Sequence, residues 1–140
     1  MHINILDSKN SILNKFIAEI RDEVLQKDSL RFRRNIERIG EIIAYELSQS
    51  LTYNSEVVNT PLGSKIIQLP KKDVVLCSIL RAGLTLHNGL LNYFDDAENG
   101  FISAYRKHTS ETEFEINVEY FASPNLDGKT LILADPMLAT

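Results

Sequence analysis

Apolar residues at Ile12, Leu13, Phe16, Ile17, Ile20 and Val24 recur at helical spacing and leave one face to bury. A second stretch repeats the pattern with Phe32, Ile36, Ile39, Ile43 and Leu47. Asp7–Ser8 and Asp28–Ser29 stand ahead of these stretches and offer side-chain oxygens to cap the first turns. Ile3, Ile5 and Leu6 predict a short opening strand. After Tyr53 the period changes. Glu56 to Thr60 and Lys65 to Leu69 read as short strands around the turn formers Pro61 and Gly63. Val74 to Leu80 is an almost unbroken apolar run, which suits a strand of a parallel sheet buried on both faces. A helix over Ala82 to Leu91 follows it. Gly100 to Tyr105 and Phe114 to Phe121 predict two strands about a polar turn at Lys107 to Glu113. Asp127-Gly128 then turns the chain into a last buried strand, Thr130 to Ala134. Strands alternating with helices predict an α/β domain with a mainly parallel sheet flanked by helices.

Composition narrows the picture without changing it. The chain has 140 residues, 44% apolar and 24% charged, enough for one domain with a core of its own. A net charge of −4 supplies no general attraction to nucleic acid or to a membrane surface. A single cysteine, Cys77, cannot form an internal disulfide, and this fits a reducing, cytoplasmic setting. No charged-then-apolar leader opens the chain, and no run of about 18 apolar residues could span a bilayer.

In parallel sheets ligands bind beyond the C-terminal strand ends, and this points to two places. Arg81 follows the Val74 to Leu80 run directly, with Gly83 two residues on. A guanidinium there can grip phosphate oxygens with parallel hydrogen bonds, and the glycine lets backbone approach a ligand. The same position also suits a structural ion pair at the sheet edge. Asp135 ends the run Thr130 to Ala134 and can accept hydrogen bonds from sugar hydroxyls or help place Mg²⁺. By position alone a helix or loop cap is the more common role of such an acid.

Taken together, Ile79-Leu80-Arg81-Ala82-Gly83 and Asp135-Pro136-Met137-Leu138-Ala139-Thr140 resemble the uracil phosphoribosyltransferase family, within the type I phosphoribosyltransferases. Ala104-Tyr105-Arg106 resembles that family's Tyr-Arg at the start of a protruding β-hairpin. Phe32-Arg33 and Tyr45-Glu46 are similar to its N-terminal helices. Proline in place of a second acid makes the final hexapeptide the most specific part. The resemblance implies transfer of a phosphoribosyl group from 5-phosphoribosyl-1-pyrophosphate to uracil, giving UMP and pyrophosphate in pyrimidine salvage. It implies Arg81 and Arg106 on the pyrophosphate side and Asp135 facing the ribose hydroxyls. Residues Pro136, Met137, Leu138, Ala139 and Thr140 would open the loop around the 5′-phosphate. Mg²⁺ would bridge substrate oxygens without a protein-built metal cage, and the active form would be a homo-oligomer.

Some residues depart from the family pattern. Ser78 stands where proline is common, and Thr85-Leu86-His87-Asn88 replaces the usual glycine-containing run. In the family the glycines of the phosphate loop and the uracil-reading segment follow the position of Thr140, so the resemblance implies that residues 1–140 are the N-terminal part of one domain and inactive by themselves. Alternative readings of the same fold are a non-catalytic nucleotide-sensing or regulatory domain, or the phosphoribosyltransferase-like part of a uridine kinase. Arg31, Arg33 and Arg34 read as a solvated or subunit-facing patch. His2, His87 and His108 show no metal-ligand spacing, His108 reads as exposed in the hairpin turn, and Cys77 reads as a small core residue.

Overall fold

A computed structural model describes residues 3–108 and 114–136, with the backbone alone described for 105–108 and 114–115. Helix α1 (Ile12–Arg21) starts at Ser11, whose side chain accepts from the Leu13 N–H. The capping pair expected at Asp7–Ser8 lies instead in a 3₁₀ turn, Leu6–Ser8. Ile3 and Ile5 are exposed and form no strand, and among the described residues no strand pairs with them. Helix α1 ends at Arg21, so Val24 falls outside it and is exposed. Helix α2 (Ser29–Ser48) is capped as expected by Asp28, which accepts from the N–H groups of Leu30 and Arg31.

Strands β1 (Tyr53–Thr60) and β2 (Gly63–Pro70) form a separate antiparallel hairpin. Its turn needs Gly63, whose φ of 132° is denied to other residues, and Thr60 Oγ1 braces it by donating to the Gly63 carbonyl. The main sheet has the order β5-β4-β3-β6, built from β3 (Val74–Leu80), β4 (Glu98–His108), β5 (Phe114–Ala122) and β6 (Thr130–Ala134). β3 pairs in parallel with both β4 and β6, whereas β4 and β5 form the antiparallel hairpin. The hairpin's turn, residues 109–113, lies outside the described residues.

Helix α3 (Gly83–Leu91) crosses back from β3 to β4 and packs with α2 on one face of the sheet. Leu76 and Ala134 of the sheet meet Ile36, Ala44, Leu86 and Leu90 of the helices there. Burying each such leucine stabilises the fold by roughly 1.5–3 kcal/mol relative to leaving it in water. The helix contact is unusually close because Gly40 and Gly89 put backbone against backbone. On the other face β6 is only half covered. Leu131 and Leu133 are 47% and 55% exposed, so the fully buried strand expected over Thr130 to Ala134 is buried only on its helix side. β3, in the sheet interior, matches its expectation from Val74 through Ser78.

Candidate functional site

Parallel pairing aligns the C-terminal ends of β3 and β6. Ser78 stands opposite Ala134, so Arg81 and Asp135 leave neighbouring strands at the same edge of the sheet. β4 pairs Ser103 with Leu80 and then runs on past the end of β3. This carries the backbone of Arg106, opposite Ile116 of β5, beyond that edge. Met137, Leu138, Ala139 and Thr140 lie outside the described residues. Asp135 and Pro136 are half-buried.

The turn between β3 and α3 is tight. The Leu80–Arg81 peptide is cis, and the Leu84 N–H donates to the Arg81 carbonyl at 3.2 Å. A side chain at Gly83 would meet the Ser78 Cβ at 3.2 Å and the Ala134 carbonyl oxygen at 3.3 Å. Glycine therefore lets the helix start lie directly against the ends of both strands. Arg81 itself is exposed and makes no ion pair among the described residues, so the sheet-edge pair that its position also allowed is not found there.

A cavity of about 210 Å³ opens at this edge, lined by Phe32, Arg33 and Ile36 of α2, by Arg81, Ala82 and Thr85, and by Pro136. Arg33 therefore shares a cavity with Arg81, which sequence reasoning did not foresee. The three α2 arginines part company: Arg31 pairs with Glu19 at 3.3 Å and Arg34 with Glu37 at 2.8 Å. Arg33 has no ion pair among the described residues. Two arginines facing one opening without a paired acid make a setting for an anion with several oxygens. A larger depression, about 450 Å³, lies between the N-terminal segment, α1 and α2, with Ile5, Leu6, Ile17 and Ile43 among its lining residues. It is remote from the strand ends and has no comparable pair of unmatched cations.

Beneath the turn lies a buried polar chain. Ser78 Oγ is 2.7 Å from His87 Nδ1, and His87 Nε2 is 2.7 Å from Asn99 Oδ1. The His87 ring also packs on Phe101, with centroids 4.8 Å apart. Burial pushes the His87 pKa below the ordinary histidine value, opposed in part by the hydrogen bond with Asn99. Cys77, on the adjacent position of β3, is buried as expected, and burial pushes its thiol pKa up. Among the described residues no group of three or more His, Cys, Asp or Glu side chains could hold a metal ion, and no helix is long and apolar enough to cross a membrane.

Comparison with known proteins accords with this geometry. A family model described as uracil phosphoribosyltransferase matches residues 7–140. A uracil phosphoribosyltransferase of Porphyromonas gingivalis is 52% identical over 140 residues, which cover 100% of this chain and 65% of the relative. One from Methanothermobacter thermautotrophicus is 37% identical, covering 100% of this chain and 63% of its own length. The chain thus spans just under two thirds of the length of these relatives. A solved structure of a protein from Aquifex aeolicus shares the fold, with a TM-score of 0.79 at 24% identity over 91% of this chain and 60% of that one. With the family model matching residues 7–140, every residue of the sheet-edge site among them, the chain belongs to the uracil phosphoribosyltransferase family.

Proposed function

We propose that the protein transfers a phosphoribosyl group from 5-phosphoribosyl-1-pyrophosphate to uracil, forming UMP and pyrophosphate in pyrimidine salvage. Residues 1–140 belong, on this reading, to one phosphoribosyltransferase domain. The observation that carries it is the exposed, unmatched Arg81 at the C-terminal end of β3, beside Arg33 and one strand from Asp135. The substrate's pyrophosphate supplies the anion that Arg81 and Arg33 lack within the described part of the fold. Arg106 adds a third cation from β4 once the pyrophosphate is seated. Asp135 accepts hydrogen bonds from the ribose hydroxyls, and Pro136 to Thr140 begin the wrap around the 5′-phosphate. As the bond from C1 to the pyrophosphate oxygen breaks, negative charge grows on the leaving group, where fixed guanidinium groups stabilise it most. The attacking base gains chiefly from being held in place.

Asp135 at the sheet edge can supply an oxygen ligand to Mg²⁺, a cation that keeps waters and binds through one or two carboxylates together with substrate phosphates. When bound it would spread the charge of the departing pyrophosphate. A cytoplasmic setting fits a buried, unpaired Cys77. Self-association is supported by the β1–β2 hairpin, which exposes Val57, Leu62 and Ile66.

The deciding assay incubates the full-length protein with labelled uracil, 5-phosphoribosyl-1-pyrophosphate and Mg²⁺. UMP is the expected product. Binding of the sugar pyrophosphate without any UMP would instead favour a regulatory domain on the same fold. In the same protein, Arg106→Ala is expected to weaken sugar-pyrophosphate binding about tenfold, the scale of one hydrogen bond to a charged group. An Arg106→Ala variant with unchanged affinity and turnover would place Arg106 outside the site.

A further inference from the structure

We propose that Ser78, His87 and Asn99 form an uncharged hydrogen-bonded relay that positions the Arg81 turn, with the single ring proton of His87 on Nε2. The positioning role rests on the transferase reading above; the tautomer does not.

The tautomer follows from the donors and acceptors. Asn99 Nδ2 donates to the Ala97 carbonyl at 3.2 Å, which turns Asn99 Oδ1, an acceptor only, toward His87 Nε2. Nε2 must then carry hydrogen. The other ring nitrogen, Nδ1, is free to accept from the Ser78 hydroxyl at 2.7 Å. A second ring proton on Nδ1 would force the Ser78 hydroxyl hydrogen to find another acceptor where Ser78 is 0% and His87 2% exposed. The whole chain is satisfied only when the ring is neutral, and the lowered pKa of the buried imidazole agrees with that.

The positioning role follows from what the relay joins and from what the turn lacks. Ser78 lies three residues before Arg81 on β3, His87 six residues after it on α3, and Asn99 on β4. One hydrogen bond thus clamps the strand before the turn to the helix after it, and the next ties that helix to the strand that carries Arg106. Ala82, at the N-cap of α3, provides no side-chain cap, and Arg81 and Ala82 are exposed. A sheet-edge arginine on such a turn is held from below, through Ser78 and the glycine packed against it. Neither Ser78 nor His87 lines the cavity, so neither acts on substrate directly.

The test uses the full-length protein. Nitrogen NMR of the His87 ring at neutral pH is expected to show Nε2 protonated and Nδ1 as a hydrogen-bonded acceptor. In Ser78→Ala the Nδ1 signal should move to that of a free acceptor. The KM for 5-phosphoribosyl-1-pyrophosphate should rise about fivefold, with kcat and the KM for uracil held within about twofold, the scale of one neutral hydrogen bond. An Nδ1-protonated or doubly protonated ring overturns the relay, as does a Ser78→Ala variant with an unchanged KM for the sugar pyrophosphate or with an equal rise in both KM values. Should Ser78→Ala fail to fold, Asn99→Ala at the exposed end of the chain takes the acceptor from the Nε2–H instead; the Nε2 signal should then move while Nδ1 stays a hydrogen-bonded acceptor, with the same expected rise in KM for the sugar pyrophosphate and the same refutation. Absence of UMP formation by the parent protein would overturn the transferase reading; calorimetric affinity for the sugar pyrophosphate would then replace KM and still decide the relay.

Discussion

Arg81→Ala in the full-length protein is expected to weaken binding of 5-phosphoribosyl-1-pyrophosphate by roughly 1.5–3 kcal/mol, about 10- to 150-fold, while affinity for uracil stays nearly unchanged. The selectivity is the informative part. A guanidinium fork on an exposed turn acts on charged oxygens, and a neutral base offers it nothing comparable. Arg81 makes no ion pair among the described residues, so its removal strands no buried carboxylate there and stability should stay within about 0.5 kcal/mol. Calorimetry with each ligand separates the two affinities. Equal losses for both ligands would mean a general distortion of the site, and no loss for the sugar phosphate would remove Arg81 from it. Arg81→Lys should recover only part of the affinity, because an ammonium keeps the charge and loses the bidentate geometry.

The features legible in the sequence were those set by local pattern. The run Val74 to Leu80 gave a buried strand with both ends correct, because a central parallel strand needs apolar side chains on both faces. Asp28 announced the start of α2 because its carboxylate bonds to N–H groups two and three residues on. Errors arose where the outcome depended on distant partners. Ile3 and Ile5 have strand-like chemistry and, among the described residues, no strand paired with them. Leu131 and Leu133 look like core from sequence, yet the covering helices lie on the other face of β6. The sheet-edge placement of Arg81 and Asp135 was readable from the rule that ligands meet strand ends. Arg33 was not, since its place in the cavity depends on how α2 leans over the β3–α3 turn. The Ser78–His87 bond was hidden for the same reason. Two polar residues nine positions apart show no pattern until α3 docks on the sheet.

That docking can be tested most sharply at Gly89, where Ala is expected to destabilise the full-length protein by about 3 kcal/mol. A Cβ at Gly89 would stand 2.1 Å from the Glu37 carbonyl oxygen, 2.9 Å from the Glu37 carbonyl carbon and 3.0 Å from the Gly40 Cα. All three are backbone atoms of α2, so no rotamer change relieves the overlap. The helices must separate. Leu86 and Leu90 would then lose contact with Ile36 and Ala44, since these residues share one core cluster. The Asn92 Nδ2 to Glu41 Oε1 hydrogen bond, 2.8 Å long at the end of the same crossing, would stretch as well. Alanine's better helix propensity returns only about 1 kcal/mol, so the overlap dominates. At about 2–4 °C per kcal/mol for a protein of roughly 150–250 residues, the Tm should fall by roughly 10 °C. Asn88→Ala, on the exposed side of α3, is the control and should shift stability by no more than about 0.5 kcal/mol. Because α2 also supplies Phe32, Arg33 and Ile36 to the cavity at Arg81, moving it outward should weaken sugar-pyrophosphate binding in the fraction that remains folded. Denaturant midpoints for Gly89→Ala and Asn88→Ala that coincide with the parent's would show that α2 and α3 do not meet backbone to backbone.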